Sequence, residues 1–279
     1  MNITGRAEVY GVIGYPVKHS LSPVFQNSAF SYLGIEAVYV PFEVRPEDLR
    51  DAIRGLRSAG VRGLNVTVPH KESVLEVADR LSCEVEAIGA SNTLVFSENG
   101  IEAYNTDWVG FLKAVEEITP LEGKKVLLLG SGGSARAVAY ALKRRNCMVY
   151  VWNRTHEKAE RLANRFGLEP VESPESVLEE VDIIVNTTSV GLDGEGTLFD
   201  YTLIRSDHTV IDLIYRDTPL IRTAREKGCL YQNGFPMLVY QGAESFRIWT
   251  GCEPPLKVMK MALLPYGYPK DSPRTPSRT

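Results

Sequence analysis

The sequence predicts an α/β fold with largely parallel sheets, arranged as two domains. Three observations carry this. Short apolar runs alternate with helical patterns almost throughout the chain. A glycine-rich turn, Gly130-Ser131-Gly132-Gly133-Ser134-Ala135, joins an apolar run to a helical one near mid-chain. At 279 residues there is room for two domains of ordinary size.

The elements follow in order. Residues 8–14 read as a strand. Ser22-Pro23 opens a helix, with Ser at the N-cap, Pro at N1 and Gly34 just past the end. Val24, Phe25, Ala29, Tyr32 and Leu33 form its apolar stripe. Next come a strand over 37–44, a helix over 46–59 closed by Gly60, a strand over 63–68 and a helix over 71–81. Strands over 93–96 and 101–104 flank Asn99-Gly100, a hairpin signal because both residues tolerate positive φ. A helix over 107–118, with Phe111, Leu112 and Val115 inward, leads to Pro120 and the polar Glu122-Gly123-Lys124. A second alternating run follows: strand 125–129, helix 134–145, strand 148–152, helix 155–166, and strands 182–186 and 209–214. Helices over 236–250 and 255–264 close the fold, and a proline-rich tail covers 266–279. The expected division is 1–106, 107–237 and 238–265, the last being the terminal helices.

Composition excludes several classes. Apolar residues at 44% and charged ones at 24% are ordinary for a globular protein with a real core. The net charge of -4 gives no footprint for nucleic acid or an anionic membrane. Cys83, Cys147, Cys229 and Cys252 are far apart and form no CxxC pair, which speaks against a zinc ribbon, a redox motif or a disulfide framework. A reducing cytoplasm is the expectation. The first ten residues show no apolar signal-peptide core, and no run of 18 apolar residues occurs. No histidine has metal-ligand spacing; His19 and His70 read as loop histidines.

The glycine turn matches G-x-G-x-x-A between strand and helix, the context in which glycines let a backbone approach a pyrophosphate at a helix N-terminus. A ligand-free glycine turn is the bland alternative. The next strand ends at Asn153-Arg154-Thr155, where an NAD site carries an acid for the ribose 2′-hydroxyl. No acid stands there before Glu157. Arg154, planar and permanently charged, suits the 2′-phosphate of NADP. Thr155 alone is equally a helix cap, and Arg154 alone a solvated arginine.

In the first domain, four polar segments stand where strands should end, the edge at which open α/β sheets bind ligands. They supply Ser20, Ser22, Thr67, Lys71, Asn92 and Asp107: hydroxyls, an amide, an ammonium and a carboxylate, suited to a polyhydroxylated acid. Each has a plainer explanation. Ser22 and Asp107 fit helix caps, Lys71 an exposed first-turn lysine, and Thr67 and Asn92 turn residues.

These residues sit in ordered blocks, including Gly14-Tyr15-Pro16 through His19-Ser20-Leu21-Ser22-Pro23, Asn65-Val66-Thr67-Val68-Pro69 with Lys71, and Asn105-Thr106-Asp107. Further blocks are Asn153-Arg154-Thr155, Asn186-Thr187-Thr188-Ser189, Asp212-Leu213-Ile214-Tyr215 and Met237-Leu238-Val239-Tyr240-Gln241. Together they resemble the shikimate dehydrogenase family over almost the whole chain, to about Leu264. The resemblance implies a substrate domain rejoined by the C-terminal helices, with an NADP domain between. It implies Lys71 and Asp107 as the catalytic pair. Ser20, Ser22, Thr67, Asn92, Tyr215 and Gln241 would hold the substrate, and Thr188, Leu213, Gly234 and Met237 would lie at the cofactor. Gln26 stands where many relatives carry His, and Pro236 where many carry Gly.

The implied reaction is reversible reduction of 3-dehydroshikimate by NADPH, with a small molecule as the partner and the chain a monomer or homodimer. A quinate/shikimate dehydrogenase is the near alternative, although Ser-Leu-Ser with Arg154 resembles the shikimate form. A glutamyl-tRNA reductase would need a nucleophilic cysteine in a site block. A non-catalytic NADP-binding regulator would not need Lys71 and Asp107 together.

Overall fold

The computed structural model describes residues 3–269. These divide into two compact units. One comprises the chain up to Gly110 together with Val239–Tyr268, and the other Phe111–Leu238. Residues 270–279 of the expected tail lie outside the described residues.

The first unit holds β1 (Glu8–Gly14), α1 (Ser22–Leu33), β2 (Ala37–Glu43), α2 (Leu49–Ser58), β3 (Val61–Val66), β4 (Arg80–Leu81), α3 (Cys83–Ile88), β5 (Thr93–Ser97) and β6 (Gly100–Tyr104). The sheet order is β2-β1-β3-β5-β6-β4. β1 runs parallel to β2 and β3, whereas β5 is antiparallel to β3 and β6. The antiparallel β5 has a consequence for the site. Its first residues, with Ser91-Asn92 just before it, lie at the same edge as the carboxyl ends of β1, β3 and β6. Asn92 thus reaches the ligand edge from the start of a strand, not from the end assigned to it by sequence.

The expected helix over 71–81 does not form. One 3-10 turn occupies Ser73–Glu76, and Arg80–Leu81 pair with Glu102–Ala103 as a strand. The Asp79 carboxylate accepts the Ile101 amide at 2.7 Å, and the Asp79 amide donates to the Ile101 carbonyl. Tertiary pairing thus outcompetes helix propensity over the last three residues. The short α3 went unread, although Ser82 caps it through the Val85 amide and Gly89 ends it at φ 72.

The second unit holds α4 (Asp107–Val115) from Phe111 onward, then β7 (Lys125–Leu129), α5 (Gly133–Lys143), β8 (Met148–Trp152), α6 (His156–Phe166), β9 (Glu169–Pro170), β10 (Ile183–Asn186), β11 (Thr209–Asp212), α7 (Pro219–Glu226) and β12 (Leu230–Gln232). The order β12-β11-β10-β7-β8-β9 is parallel at every pairing, a doubly wound sheet. Its core, with Leu127, Leu129, Ile184 and Val210 at 0% exposure, lies against the sheet. α7 and β12 were also unread; Thr218 caps α7 with Pro219 behind it, a start signal lost in a polar stretch.

α8 (Phe235–Thr250) and α9 (Leu256–Ala262) follow, and from Val239 the chain belongs to the first unit. Aromatic packing fastens that return. Phe246 lies 5.0 Å from Phe30, Tyr10 lies 5.3 Å from Phe30, and Trp249 lies 5.2 Å from Tyr10, between ring centroids. Phe25, Phe30 and Phe246 are fully buried, and each such burial is worth about 1.5–3 kcal/mol. Gly63 leaves room for the Trp249 indole, which donates to the Leu94 carbonyl at 2.9 Å. At Gly110 a Cβ would lie 2.7 Å from the Gln241 backbone nitrogen, so only glycine lets α4 approach α8 this closely. Among the described residues no helix is long and apolar enough to cross a membrane.

Candidate active site

In the first unit, Lys71 Nζ donates to Asp107 Oδ2 at 2.6 Å, and the two side chains are only 12% and 5% exposed. Asp107 Oδ1 accepts Asn92 Nδ2 at 2.9 Å, and the same amide nitrogen is 3.1 Å from Gln241 Oε1. The Thr106 amide donates to Asn92 Oδ1 at 2.7 Å, which fixes the orientation of the Asn92 amide with its nitrogen on the carboxylate. Asp107 is therefore no helix cap. Asn105 closes the turn that leads into α4, its Oδ1 accepting the Asp107 amide at 3.0 Å. Lys71 is no first-turn helix residue either. Removing one partner of so buried a pair leaves the other uncompensated, a cost of about 3–5 kcal/mol.

Behind this pair lies a polar layer that sequence reasoning left without roles. Asn65 Nδ2 donates to Ser245 Oγ at 2.9 Å and to the Asn92 carbonyl at 3.0 Å. Ser245 Oγ also lies 2.8 Å from Thr93 Oγ1 and 3.1 Å from Thr106 Oγ1. Tyr39 donates to Asn65 Oδ1 at 2.8 Å; burial pushes its phenol well up, opposed by a hydrogen bond from Ser22. Asn105-Thr106-Asp107 before a helix is a readable turn signature. A serine within α8 carries no such mark.

Ser22 does not cap α1, whose start has no side-chain cap. It is buried, and its amide donates to Ser20 Oγ at 3.3 Å. Thr67 follows β3, half-buried, with no hydroxyl hydrogen bond to this layer among the described residues. His70 stands in the turn after β3 and is fully buried, with Nε2 2.7 Å from the Val44 carbonyl. Gln26 is also buried and donates to the Gly242 carbonyl at 2.8 Å, joining α1 to α8.

In the second unit, β7 runs into the glycine turn and then α5. Gly130 has φ 111, and a Cβ there would meet Thr187 Oγ1 at 2.5 Å. Ser131 follows. A Cβ at Gly132 would meet nothing within 4 Å, so that face of the turn is open. Gly133 and Ser134 begin α5, which has no side-chain cap and no acid in its first turn. Ala135 is fully buried, and its small side chain lets the helix close on the sheet. The helix start therefore presents amides and a positive dipole end with no acid in its own first turn.

After β8, Asn153 Nδ2 donates to the Thr155 carbonyl at 2.9 Å. Thr155 occupies the cap position of α6 without a side-chain cap bond. Arg154 is exposed and has neither ion pair nor hydrogen bond among the described residues. Thr188 follows β10. Leu213 and Tyr215 follow β11, and burial pushes the Tyr215 phenol up. Gly234 is required where it stands, because a Cβ would collide with the Leu213 carbonyl. Met237 is 8% exposed in the first turn of α8, where Pro236 is tolerated because its missing amide has no helical acceptor. Among the described residues no cluster of His, Cys, Asp or Glu is placed to hold a metal.

A mixed α/β unit followed by a doubly wound parallel unit with a glycine turn at its first strand–helix junction defines a two-domain protein with a Rossmann-like half. Family models match its sequence in three stretches: the shikimate dehydrogenase substrate binding domain over 12–94, shikimate / quinate 5-dehydrogenase over 113–192, and the shikimate 5′-dehydrogenase C-terminal domain over 234–264. The shikimate dehydrogenase (NADP(+)) of Aquifex aeolicus is 49% identical over 263 residues, covering 94% of this chain and 98% of that protein. The chain belongs to the shikimate dehydrogenase family. The crystal structure of shikimate dehydrogenase from Aquifex aeolicus superposes with a TM-score of 0.92 at 48% identity, over 94% of this chain and 99% of the other. That of Thermus thermophilus shikimate 5-dehydrogenase, in complex with NADP(H) and shikimate, gives 0.87 at 40% identity, over 92% and 99%.

Proposed function

We propose that the chain catalyses the reversible, NADP-dependent reduction of 3-dehydroshikimate to shikimate, with Lys71 and Asp107 as its catalytic pair. The carrying observation is the buried contact of 2.6 Å between them, held by Asn92, in a chain of this family. Ser20, Ser22, Thr67, Tyr215 and Gln241 complete the groups for a carboxylate and ring hydroxyls.

The residues present fit NADP. The open turn at Gly130–Ala135 and the uncapped start of α5 would hold the pyrophosphate. Arg154, with Asn153 and Thr155, would take the 2′-phosphate, and Thr188, Leu213, Gly234 and Met237 would flank the nicotinamide. When bound, NADPH supplies the hydride that goes to the ketone carbon.

The chain's own work is to move one proton and hold the ring. Lys71, as an ammonium, polarises the carbonyl and donates the proton to its oxygen; as an amine it takes the proton back in the reverse direction. Asp107 Oδ2 holds Nζ in place, and its remaining lone pairs accept the neighbouring ring hydroxyl. Asn92 keeps the carboxylate aimed by donating to Oδ1. As monomer or homodimer, each proposed role falls on one chain. The four cysteines are unpaired, which suits the cytoplasm.

Turnover of shikimate with NADP+, followed by NADPH absorbance, tests the proposal. Lys71→Ala should lower kcat by about 10²–10⁴-fold with KM little changed. Near-normal turnover in that variant removes Lys71 from the mechanism. Faster turnover of quinate than of shikimate by the wild type would replace the substrate assignment.

A further inference from the structure

We propose that Asp212 and Asn186 are a positioning pair that sets the cofactor wall for hydride transfer, by locking the loops after β10 and β11 into one geometry. The inference rests on the nucleotide reading of the second unit given above.

Asn186 and Asp212 are the last residues of β10 and β11 and are register partners in the parallel ladder. Both are fully buried. Asn186 Nδ2 donates to Asp212 Oδ1 at 3.0 Å, and the Ile214 amide donates to the same oxygen at 3.0 Å. Asp212 Oδ2 accepts the Thr218 hydroxyl at 2.6 Å, and Thr218 in turn caps α7 by accepting the Ile221 amide. On the other side, Asn186 Oδ1 accepts both the amide and the hydroxyl of Thr188 at 2.8 Å. One carboxylate and one amide therefore tie together the residues after two strands and the start of a helix. The backbone closes the bracket: the Leu213 amide donates to the Asn186 carbonyl at 3.0 Å, and the Gly234 amide to the Ile214 carbonyl at 3.1 Å.

These three donors to Asp212 are all neutral. Burying a carboxylate without a cation is expensive, and burial pushes this one up to about 6 despite its three hydrogen bonds. A brace needs no charge; an uncharged side chain would hold two strand ends at lower cost. What a carboxylate adds is acceptance at both oxygens. The Asn186 amide, the Ile214 amide and the Thr218 hydroxyl then have only one consistent arrangement. The residues so held, Thr188, Leu213 and the adjoining Tyr215, are among those assigned to nicotinamide and substrate, where small displacements cost rate rather than affinity.

The test uses the full chain with NADP and shikimate. Asp212→Asn, Asn186→Asp and the exchange N186D/D212N are compared for kcat, NADP affinity by fluorescence titration, and the isotope effect on reduction of 3-dehydroshikimate by NADPH deuterated at the transferred position. The exchange does not keep the donor–acceptor set: Asn186 Nδ2 and the Ile214 amide share Asp212 Oδ1, so an amide nitrogen turned from 212 toward a carboxylate at 186 would face the Ile214 amide donor to donor. Each single variant should lose at least about tenfold in kcat with a larger isotope effect, NADP affinity moving less than about threefold. The exchange should recover little of the loss, because the Ile214 amide is left without its acceptor. Should Asn186→Asp fail to fold, Asp212→Asn carries the same comparison alone. Unchanged kcat and isotope effect with only a lower melting temperature would overturn the inference, as would a loss confined to NADP affinity. A wild type that binds NADP but does not turn over shikimate would instead overturn the reading on which it rests, and the inference with it.

Discussion

Truncating Arg154 separates cofactor recognition from folding unusually well. Its guanidinium follows β8, is exposed, and bonds to no described residue. Arg154→Ala therefore removes nothing the fold uses, and the melting temperature should stay put. A 2′-phosphate offers charge-assisted hydrogen bonds of roughly 1.5–3 kcal/mol each. Solvent exposure pulls that toward the lower end. A loss of about 1.4 kcal/mol is tenfold in binding, so KM for NADP should rise by about tenfold or somewhat more. KM for shikimate should hold, and kcat/KM with NAD, which carries only a hydroxyl there, should hardly move. The wild type should prefer NADP over NAD by at least about tenfold in kcat/KM. Added salt should weaken NADP more than NAD, because only the former has an ion contact to screen. Steady-state kinetics with both cofactors across a salt series measure all of this. Equal loss for NADP and NAD would refute the reasoning and reassign Arg154 to the pyrophosphate or the fold.

Ser22→Ala should raise KM for shikimate and leave NADP affinity alone. Because Ser22 does not cap α1, the roughly 1 kcal/mol cost of a lost cap should be absent. A melting shift without a KM change would show Ser22 to be structural. Asp212 makes a pH prediction. Its folded pKa of about 6 lies above the usual 3.8. Its contribution to stability is therefore fully present below about pH 4 and lost as pH rises through about 6. The stability of Asp212→Asn relative to wild type should thus improve by about 2 kcal/mol between pH 4 and pH 7. Denaturant unfolding at a series of pH values measures it, and a pH-independent difference would show that the carboxyl titrates normally.

Much of the molecule was legible in its sequence because the signals are local. The glycine turn between β7 and α5 needs only a strand, small residues and a helix start. Arg154 in place of an acid after β8 is read from one position. Lys71, Asn92 and Asp107 were each visible as polar residues in turns, though every one had an innocent local explanation. Tertiary structure removed some of those local explanations. It placed Lys71 against Asp107, tied the Asp107 carboxylate to Asn92, and took the cap role from Ser22. The reason is physical: a cap is satisfied within four residues, whereas an ion pair spanning 36 positions depends on which strands meet. The same applies to the 71–81 segment, where helix propensity yielded to the pairing of Arg80 and Leu81 with β6. The Ser245 hydroxyl and the Asn186–Asp212 bracket were also beyond reach of pattern. Their partners are brought in by α8 and by parallel strands, and a buried polar side chain is defined by those partners alone.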